Sequence, residues 1–172
     1  MDRRAAGVVT VLLSLLATLL VGAGPASAAT GNIPDADRDG ETTSLDFQRV
    51  HVSNNERAVV VTAYFDRVAR GLMGVYLQTD GGETVLVGAD YRPGRERVLF
   101  YSEGRRTCRG LSVRWDVHAS TARVRVPARC VAGGDHSAVR AQLITEQGGD
   151  TDLVPDQTFA GTWPWSRWFA RG

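Results

Sequence analysis

Apolar and polar residues alternate in short stretches through the middle of the chain, and turn-forming residues separate these stretches. Such a period of two places successive side chains on opposite faces of a strand. Short strands of this kind at regular spacing are typical of a β-sandwich or barrel. The pattern predicts an all-β protein, an antiparallel β-sandwich of about eight strands. The predicted strands cover residues 45–52, 57–65, 72–79, 84–91, 97–101, 111–117, 123–126 and 137–145.

Two of these segments carry more detailed predictions. In the first strand the alternation slips between Phe47 and Val50, which indicates a β-bulge. The second strand, residues 57–65, is apolar on one face and partly apolar on the other. We therefore expect a central strand that is covered on both sides.

The sixth and seventh predicted strands form the clearest β-hairpin. Residues that lie opposite each other in an antiparallel pair share a face of the sheet. Pairing Trp115 with Val124 places both side chains on the buried face and leaves a two-residue turn at Ala119 and Ser120. The sequence predicts this register for the hairpin.

The two cysteines, Cys108 and Cys130, lie near the open end of this hairpin. An even number of cysteines in an exported chain favours a disulfide, and two cysteines allow a single pairing. A free thiol or a metal site is the alternative, but no histidine lies at the spacing of a metal site. The sequence predicts one disulfide between Cys108 and Cys130.

Residues 1–28 have the three-part pattern of a secretory signal peptide. Arg3 and Arg4 give a positive start, an apolar stretch follows, and Ala26 and Ala28 are the small residues that signal peptidase requires. A retained membrane anchor is the alternative, because the apolar run is almost long enough to span a bilayer. The small, uncharged residues after it favour cleavage. We expect a secreted, extracellular protein with no membrane span after cleavage.

The rest of the chain divides into three parts. Residues 29–43 are polar and acidic and predict an N-terminal loop. Residues 44–147 predict the β-sandwich domain, which has an ordinary size for a single domain. Residues 148–172 lose the strand pattern, and we expect a tryptophan-containing tail that packs on the domain.

Charge and composition narrow the range of partners. The formal net charge of +1 falls to zero once Asp2, Arg3 and Arg4 are removed. A neutral domain exerts no long-range attraction on nucleic acid, so we expect no nucleic acid as a partner. All 20 basic residues are arginine. We interpret this as codon bias in a GC-rich genome; the alternative is that arginine is used for its bidentate contacts.

The clearest local motif is an acidic D-x-D-x-D-G sequence in the N-terminal loop. Three carboxylates at this spacing lie on one side of a loop, and hard oxygen ligands suit calcium. The last ligand position holds an aspartate, which is shorter than the usual glutamate, and no helices flank the loop. A solvated acidic linker is the alternative. Calcium is the one cofactor that the sequence suggests, and its candidate ligands are Asp35, Asp37, Asp39, Glu41 and Asp46.

Trp163, Trp165 and Trp168 in the tail are candidate ligand-binding residues, because flat aromatic faces stack on sugar rings. The alternative is that these rings pack on the sandwich and hold the C terminus in place. We favour the alternative, since large aromatic rings contribute much apolar burial.

The sequence gives little support for catalysis. The histidines, His51, His118 and His136, lie in a predicted strand, a turn and a loop, and the chain has neither a G-x-S-x-G nor an H-E-x-x-H motif. Residues that are distant in sequence can still form a catalytic set in space. We expect a protein that is not an enzyme, and we assign no catalytic residue.

Several motifs together resemble a group of secreted actinobacterial proteins of uncharacterised function. These motifs are Ser-Leu-Asp-Phe at 44–47, Val-Tyr-Leu-Gln-Thr-Asp-Gly at 75–81, Cys-Arg-Gly-Leu-Ser-Val-Arg-Trp-Asp at 108–116 and Arg-Val-Pro-Ala-Arg-Cys at 125–130. Their layout is similar to the sandwich of family 9 carbohydrate-binding modules and DOMON domains. Those families bind sugars or haem, so the resemblance implies a binding module before an enzyme. We interpret Met73 as a core residue rather than a haem ligand.

The sequence as a whole predicts a secreted, monomeric β-sandwich that acts as a non-catalytic binding or cell-envelope-associated protein. A carbohydrate-binding module is the first alternative, and a small secreted hydrolase is the second. An extracellular glycan or protein is the expected kind of partner.

Overall fold

A computed structural model describes residues 29–35, 45–156 and 161–172 of the chain. Strands account for 58% of the structure, and they form two antiparallel sheets in a sandwich-like arrangement. A disulfide joins Cys108 to Cys130. The predicted fold class, an antiparallel sandwich with one disulfide, is confirmed.

The described residues form eleven strands rather than about eight. In chain order they are β1 (Ala29–Pro34), β2 (Phe47–Asn55), β3 (Ala58–Phe65), β4 (Gly71–Thr79), β5 (Thr84–Tyr91), β6 (Arg97–Ser102), β7 (Ser112–Asp116), β8 (Thr121–Pro127), β9 (Ala138–Gln147), β10 (Asp150–Val154) and β11 (Phe169–Ala170). Two short 3₁₀ turns, Ala128–Cys130 and Ala132–Gly134, connect β8 to β9.

The first sheet, sheet A, has the strand order β1-β2-β3-β8-β7. The second, sheet B, has the order β10-β9-β4-β5-β6, and β11 also pairs with β9. The central position of β3 agrees with its apolar pattern. The predicted bulge is present as a register shift between Phe47 and Arg49 in the β2–β3 pair.

The core lies between the two sheets and is rich in valine. Branched side chains suit strands because their restricted rotamers pack well on a pleated surface. Met73 is fully buried in this core. The inward residues of β3 and β4 show the pattern most clearly, since alternate positions from Val59 to Phe65 and from Met73 to Leu77 are buried.

A chain of aromatic rings crosses the core from one sheet to the other. Phe47 stacks on Phe65 with ring centroids 5.2 Å apart, and Phe65 lies 6.0 Å from Trp115. Trp115 in turn lies 5.1 Å from Tyr91 on β5. Trp115 is therefore on the inner face of sheet A, as predicted, and links β7 to sheet B.

The register predicted for the β7–β8 hairpin is wrong by two residues. Trp115 lies opposite Ala122, not Val124, and the ladder closes at Asp116, so four residues form the turn rather than two. The Asp116 carboxylate accepts the backbone N–H of Ala119 at 2.9 Å, which stabilises the longer turn. A shift of two residues keeps every side chain on its predicted face because the period of a strand is two.

The disulfide lies at the open end of this hairpin. Continuing the observed register would place Cys108 opposite Arg129, one residue short of Cys130. The 3₁₀ turn Ala128–Cys130 takes up this difference and leaves the two Cα atoms 5.8 Å apart.

Residues 29–34, predicted as the start of a loop, instead form β1. This strand pairs with β2 along its whole length, and its Ile33 side chain is buried. A single large apolar residue gives too little alternation to predict a strand from sequence. The tertiary partner β2, rather than local pattern, determines this element.

The C-terminal tail closes the outer edge of β9. Strand β10 pairs with one end of β9 and β11 with the other. Between them, the Ser166 N–H donates to the Ala141 carbonyl at 3.0 Å, and the Ala141 N–H donates to Ser166 Oγ at 2.9 Å. An open edge would leave a row of unpaired backbone groups, so the tail protects this edge of sheet B.

Candidate functional site

The outer face of sheet B carries rows of side chains that cross β9, β4, β5 and β6. Residues opposite each other in antiparallel pairs share a face, so the strand registers define these rows. The middle row contains two glycines. One of the two neighbouring rows contains the aromatic residues, and the other contains the charged residues. The rows are Gln142, Tyr76, Leu86 and Tyr101; Ile144, Gly74, Gly88 and Leu99; and Glu146, Leu72, Asp90 and Arg97.

Gly74 and Gly88 lie opposite each other at the centre of this outer face. A Cβ atom on Gly74 would lie 2.7 Å from Ile144 Cγ2, which is too close, so Ile144 partly covers this position. A Cβ atom on Gly88 would meet Leu99 Cβ at 3.6 Å, an ordinary contact. Gly88, which is not covered in this way, leaves a depression where another molecule can approach the backbone.

Two hollows lie on this face. The larger, about 870 Å³, contains Gly88, Leu72 and Leu99 and is bordered by the β9–β10 turn. The smaller, about 250 Å³, lies between the Tyr76–Tyr101 row and the loop after β6. The larger hollow falls within the size range of small-ligand sites.

Exposed apolar groups line both hollows. Leu99 is 52% exposed and Tyr101 is 39% exposed. Both lie on β6, the edge strand of sheet B. The Arg106 guanidinium lies over the Tyr101 ring, 5.1 Å from its centroid, so a cation already covers part of one face of this ring.

The larger hollow has charged groups of both signs on its rim. Arg92 Nε lies 3.2 Å from Asp90 Oδ2, and Arg97 and Glu146 occupy the same row as Asp90. Carboxylates accept hydrogen bonds and guanidinium groups donate them. This mixture suits a ligand that offers both donors and acceptors and carries little net charge.

Trp163 of the tail lies beside this outer face. Its ring packs edge-on against Tyr76 with centroids 5.5 Å apart, and its carbonyl accepts a hydrogen bond from Gln142 Nε2 at 2.8 Å. The structure thus brings one of the three candidate tryptophans to the border of the Tyr76–Tyr101 row.

Trp165 and Trp168 both pack around Arg140. The Arg140 guanidinium lies 5.2 Å from the Trp165 ring and 4.7 Å from the Trp168 ring, and its Nε donates to Gln78 Oε1 at 2.9 Å. These contacts hold the tail against β9. Trp168 is nevertheless 45% exposed, so part of its surface faces solvent.

His136 and Ser137 lie in a hollow of about 500 Å³ near the C terminus. His136 Nε2 is 3.3 Å from Asn54 Oδ1, and Ser137 Oγ donates to the Asp80 carboxylate. A serine nucleophile requires a hydrogen bond to its base. Here the serine and the histidine are each hydrogen-bonded to a different residue, and they do not form a hydrogen-bonded pair with each other.

The proposed calcium loop is described only at its two ends. Asp35 follows β1 and Asp46, which is buried, precedes β2, while Asp37, Asp39 and Glu41 lie outside the described residues. The β1–β2 pairing brings the two ends of the loop together. Within residues 29–35, 45–156 and 161–172, no group of three or more His, Cys, Asp or Glu side chains is placed to hold a metal ion.

No protein-family model, curated protein or solved structure matches this chain. The interpretation of the site therefore depends on its geometry. In the part of the chain that the structure describes, no helix has the length and hydropathy that crossing a bilayer requires.

The outer face of sheet B was not predicted as a site from the sequence. Its signal was present, because glycine in the interior of a strand often marks the close approach of another group. Gly74 and Gly88 both lie within predicted strands. Their position opposite each other depends on the β4–β5 register, which the sequence pattern left undetermined.

Proposed function

We propose that this protein is a secreted, non-catalytic carbohydrate-binding module whose ligand lies on the outer face of sheet B. The observation that carries the proposal is the depression at Gly88, in the row next to the exposed Tyr101 ring. The resemblance to family 9 carbohydrate-binding modules gives separate support to the same class of ligand.

The chemistry of this face suits a sugar ring. A pyranose has an apolar face of C–H groups and a rim of hydroxyl groups. Leu99 and Tyr101 offer apolar and aromatic surface to the first, and the charged rim at Asp90, Arg97 and Glu146 offers hydrogen bonds to the second. Because both signs of charge are present, the site favours a neutral glycan over a strongly charged one.

A glycan array probed with the purified protein tests this proposal, followed by calorimetry with the best ligand. Gly88→Leu fills the depression, and its first side-chain atom meets only an ordinary contact with Leu99. Tyr101→Ala removes the exposed ring. We expect each variant to weaken glycan binding by about tenfold or more, with little change in melting temperature. Tyr101→Ala removes an aromatic contact, which contributes on the order of 1 kcal/mol beyond its buried area. Gly88→Leu prevents the ligand from reaching the backbone.

Tyr64→Ala is the matched control, since Tyr64 is a partly exposed tyrosine on the outer face of sheet A. This variant should bind the glycan like the native protein. Absence of any bound glycan, or native affinity in Gly88→Leu, would contradict the proposal. Release of sugar products from the bound glycan would instead support the hydrolase alternative.

Secretion is part of the proposal, and it depends on the signal pattern in residues 1–28. The disulfide is consistent with an oxidising compartment. N-terminal sequencing of protein recovered outside the cell should begin at Ala29. A sequence that begins at Met1 would contradict cleavage.

A further inference from the structure

The outer face of sheet A differs in charge from that of sheet B. Among the outward positions of its described strands, four are arginines and one, Asp116, is acidic. Three of the arginines are exposed and the fourth is half-buried. We call this surface the arginine face. Its basic residues are Arg49, Arg114, Arg123 and Arg125.

Arg114 and Arg123 lie directly opposite each other in the β7–β8 ladder. The Cβ atoms of such a pair are about 5 Å apart, and like charges at these positions destabilise a sheet. Neither arginine forms an ion pair within the described residues. The nearest acidic position along β7, Asp116, accepts the Ala119 N–H. Their repulsion would be relieved by an anion bound from outside.

The net charge of the chain does not reveal this concentration of positive charge. The protein without residues 1–28 is formally neutral, yet the fold places these arginines together. On the outer face of sheet B, by contrast, Arg92 pairs with Asp90 at 3.2 Å. The two faces of the sandwich are therefore suited to ligands of different charge.

We propose that the arginine face binds an anionic polymer with phosphodiester groups and without bases. Two neighbouring guanidinium groups can each donate to one of the two free oxygens of the same phosphodiester, which carries a full negative charge. An anionic polymer carries such groups repeatedly, so Arg49 and Arg125 can bind further phosphates of the same polymer molecule.

The surroundings of Tyr64 argue against a nucleic acid as this polymer. Single-stranded nucleic acids gain much of their affinity by stacking bases on aromatic rings. Tyr64 is the one tyrosine at the outward positions of the described strands of sheet A, and the Arg49 guanidinium covers its ring at 4.1 Å. The arginine face thus offers charge without a free tyrosine ring for stacking.

Calorimetric titration of the purified protein with poly(glycerol phosphate) tests this proposal. Binding should weaken as salt rises, with a log–log slope of magnitude about three for four arginines. Arg123→Gln should lower the affinity about tenfold and reduce that slope by about 0.7. Its melting temperature without polymer should stay the same or rise, because the variant removes the like-charged pair. If Arg123 had only a structural role, its replacement would not lower the affinity and the salt slope while leaving the melting temperature unchanged or higher.

Two matched variants complete the experiment. Arg57→Gln, at an exposed arginine in the β2–β3 turn, should change neither affinity nor slope. Arg123→Lys keeps the charge but loses the planar fork, so it should keep the slope and bind poly(glycerol phosphate) more weakly than the native protein does.

Three results would overturn the proposal: no binding at low salt, equal affinity of the native protein for polygalacturonate, or tighter binding of single-stranded DNA of the same charge. The proposal does not depend on the carbohydrate site. Gly88→Leu, which blocks the outer face of sheet B, should leave polymer binding unchanged.

Discussion

At the scale of single residues, small differences in side chain determine what each face of the sandwich can bind. Gly88 opens a depression because it has no side chain, and Leu99 and Tyr101 beside it supply apolar surface. Arg123, on the other sheet, faces another arginine and leaves a positive charge without a partner among the described acidic residues. The same antiparallel pairing thus produces a depression bordered by charges of both signs on one face and a basic surface on the other.

His136 gives a prediction about pH. Burial, and secondly the positive charge of Arg171, lower the pKa of His136 below its usual value of 6.5. The unfolded chain therefore binds a proton at a higher pH than the folded protein does. This contribution to stability is complete above about pH 6.5 and is lost as the pH falls toward the lower folded pKa.

Thermal melts at about pH 7.5 and about pH 5 measure this effect. The native protein should melt at a lower temperature at the lower pH. His136→Gln, which keeps an amide next to Asn54, should lose part of that difference. An equal pH dependence in the variant would show that other groups cause the acid sensitivity.

At the scale of elements, the period of two predicts which face a residue lies on better than it predicts which residue lies opposite. The hairpin register was wrong by two residues, yet Trp115 is on the predicted face. Strands with strong alternation, such as Thr84–Tyr91, were predicted with their observed bounds. Strands β1, β10 and β11 carry too little alternation and exist because they pair with β2 and β9.

The disulfide between Cys108 and Cys130 should contribute to stability without determining the fold. It closes a loop with a sequence separation of 22 residues. The double variant Cys108→Ser with Cys130→Ser should lower the free energy of unfolding by about 2–4 kcal/mol, because the bridge restricts the unfolded chain. The core between the two sheets should hold the fold in place. Denaturant unfolding measures the change; two free thiols in the folded native protein, or unchanged stability, would contradict it.

The loop between β1 and β2 carries the calcium prediction. If Asp35, Asp37 and Asp39 bind calcium, millimolar calcium should raise the melting temperature, since a ligand of the folded state stabilises it by about 2.7 kcal/mol at 100 times its Kd. Asp37→Asn should abolish the rise, and Asp135→Asn, at an exposed aspartate elsewhere, should not. A melting temperature that does not respond to calcium would support the solvated acidic linker instead.

At the scale of the whole molecule, the fold class followed from the sequence and the candidate site did not. Alternation of apolar residues is a local signal, and it is sufficient to indicate two packed sheets. The carbohydrate site depends on the position of Gly88 beside Leu99, and the arginine face depends on the charges that β2, β7 and β8 bring to one surface. Both features depend on strand register and strand order. The net charge does not reveal the arginine face, because positive and negative charges that cancel in the sum lie on different surfaces of the folded protein.

The central claim is that the outer face of sheet B binds a glycan. The most direct test is an NMR titration of the purified protein with the glycan that binds most strongly, followed through its backbone amide signals. The account predicts that the signals of Gly74, Gly88 and Leu99 and their neighbours on β4, β5 and β6 shift with saturation. Shifts confined to the outer face of sheet A or to the tail beyond Trp163, or no shifts at all, would contradict it.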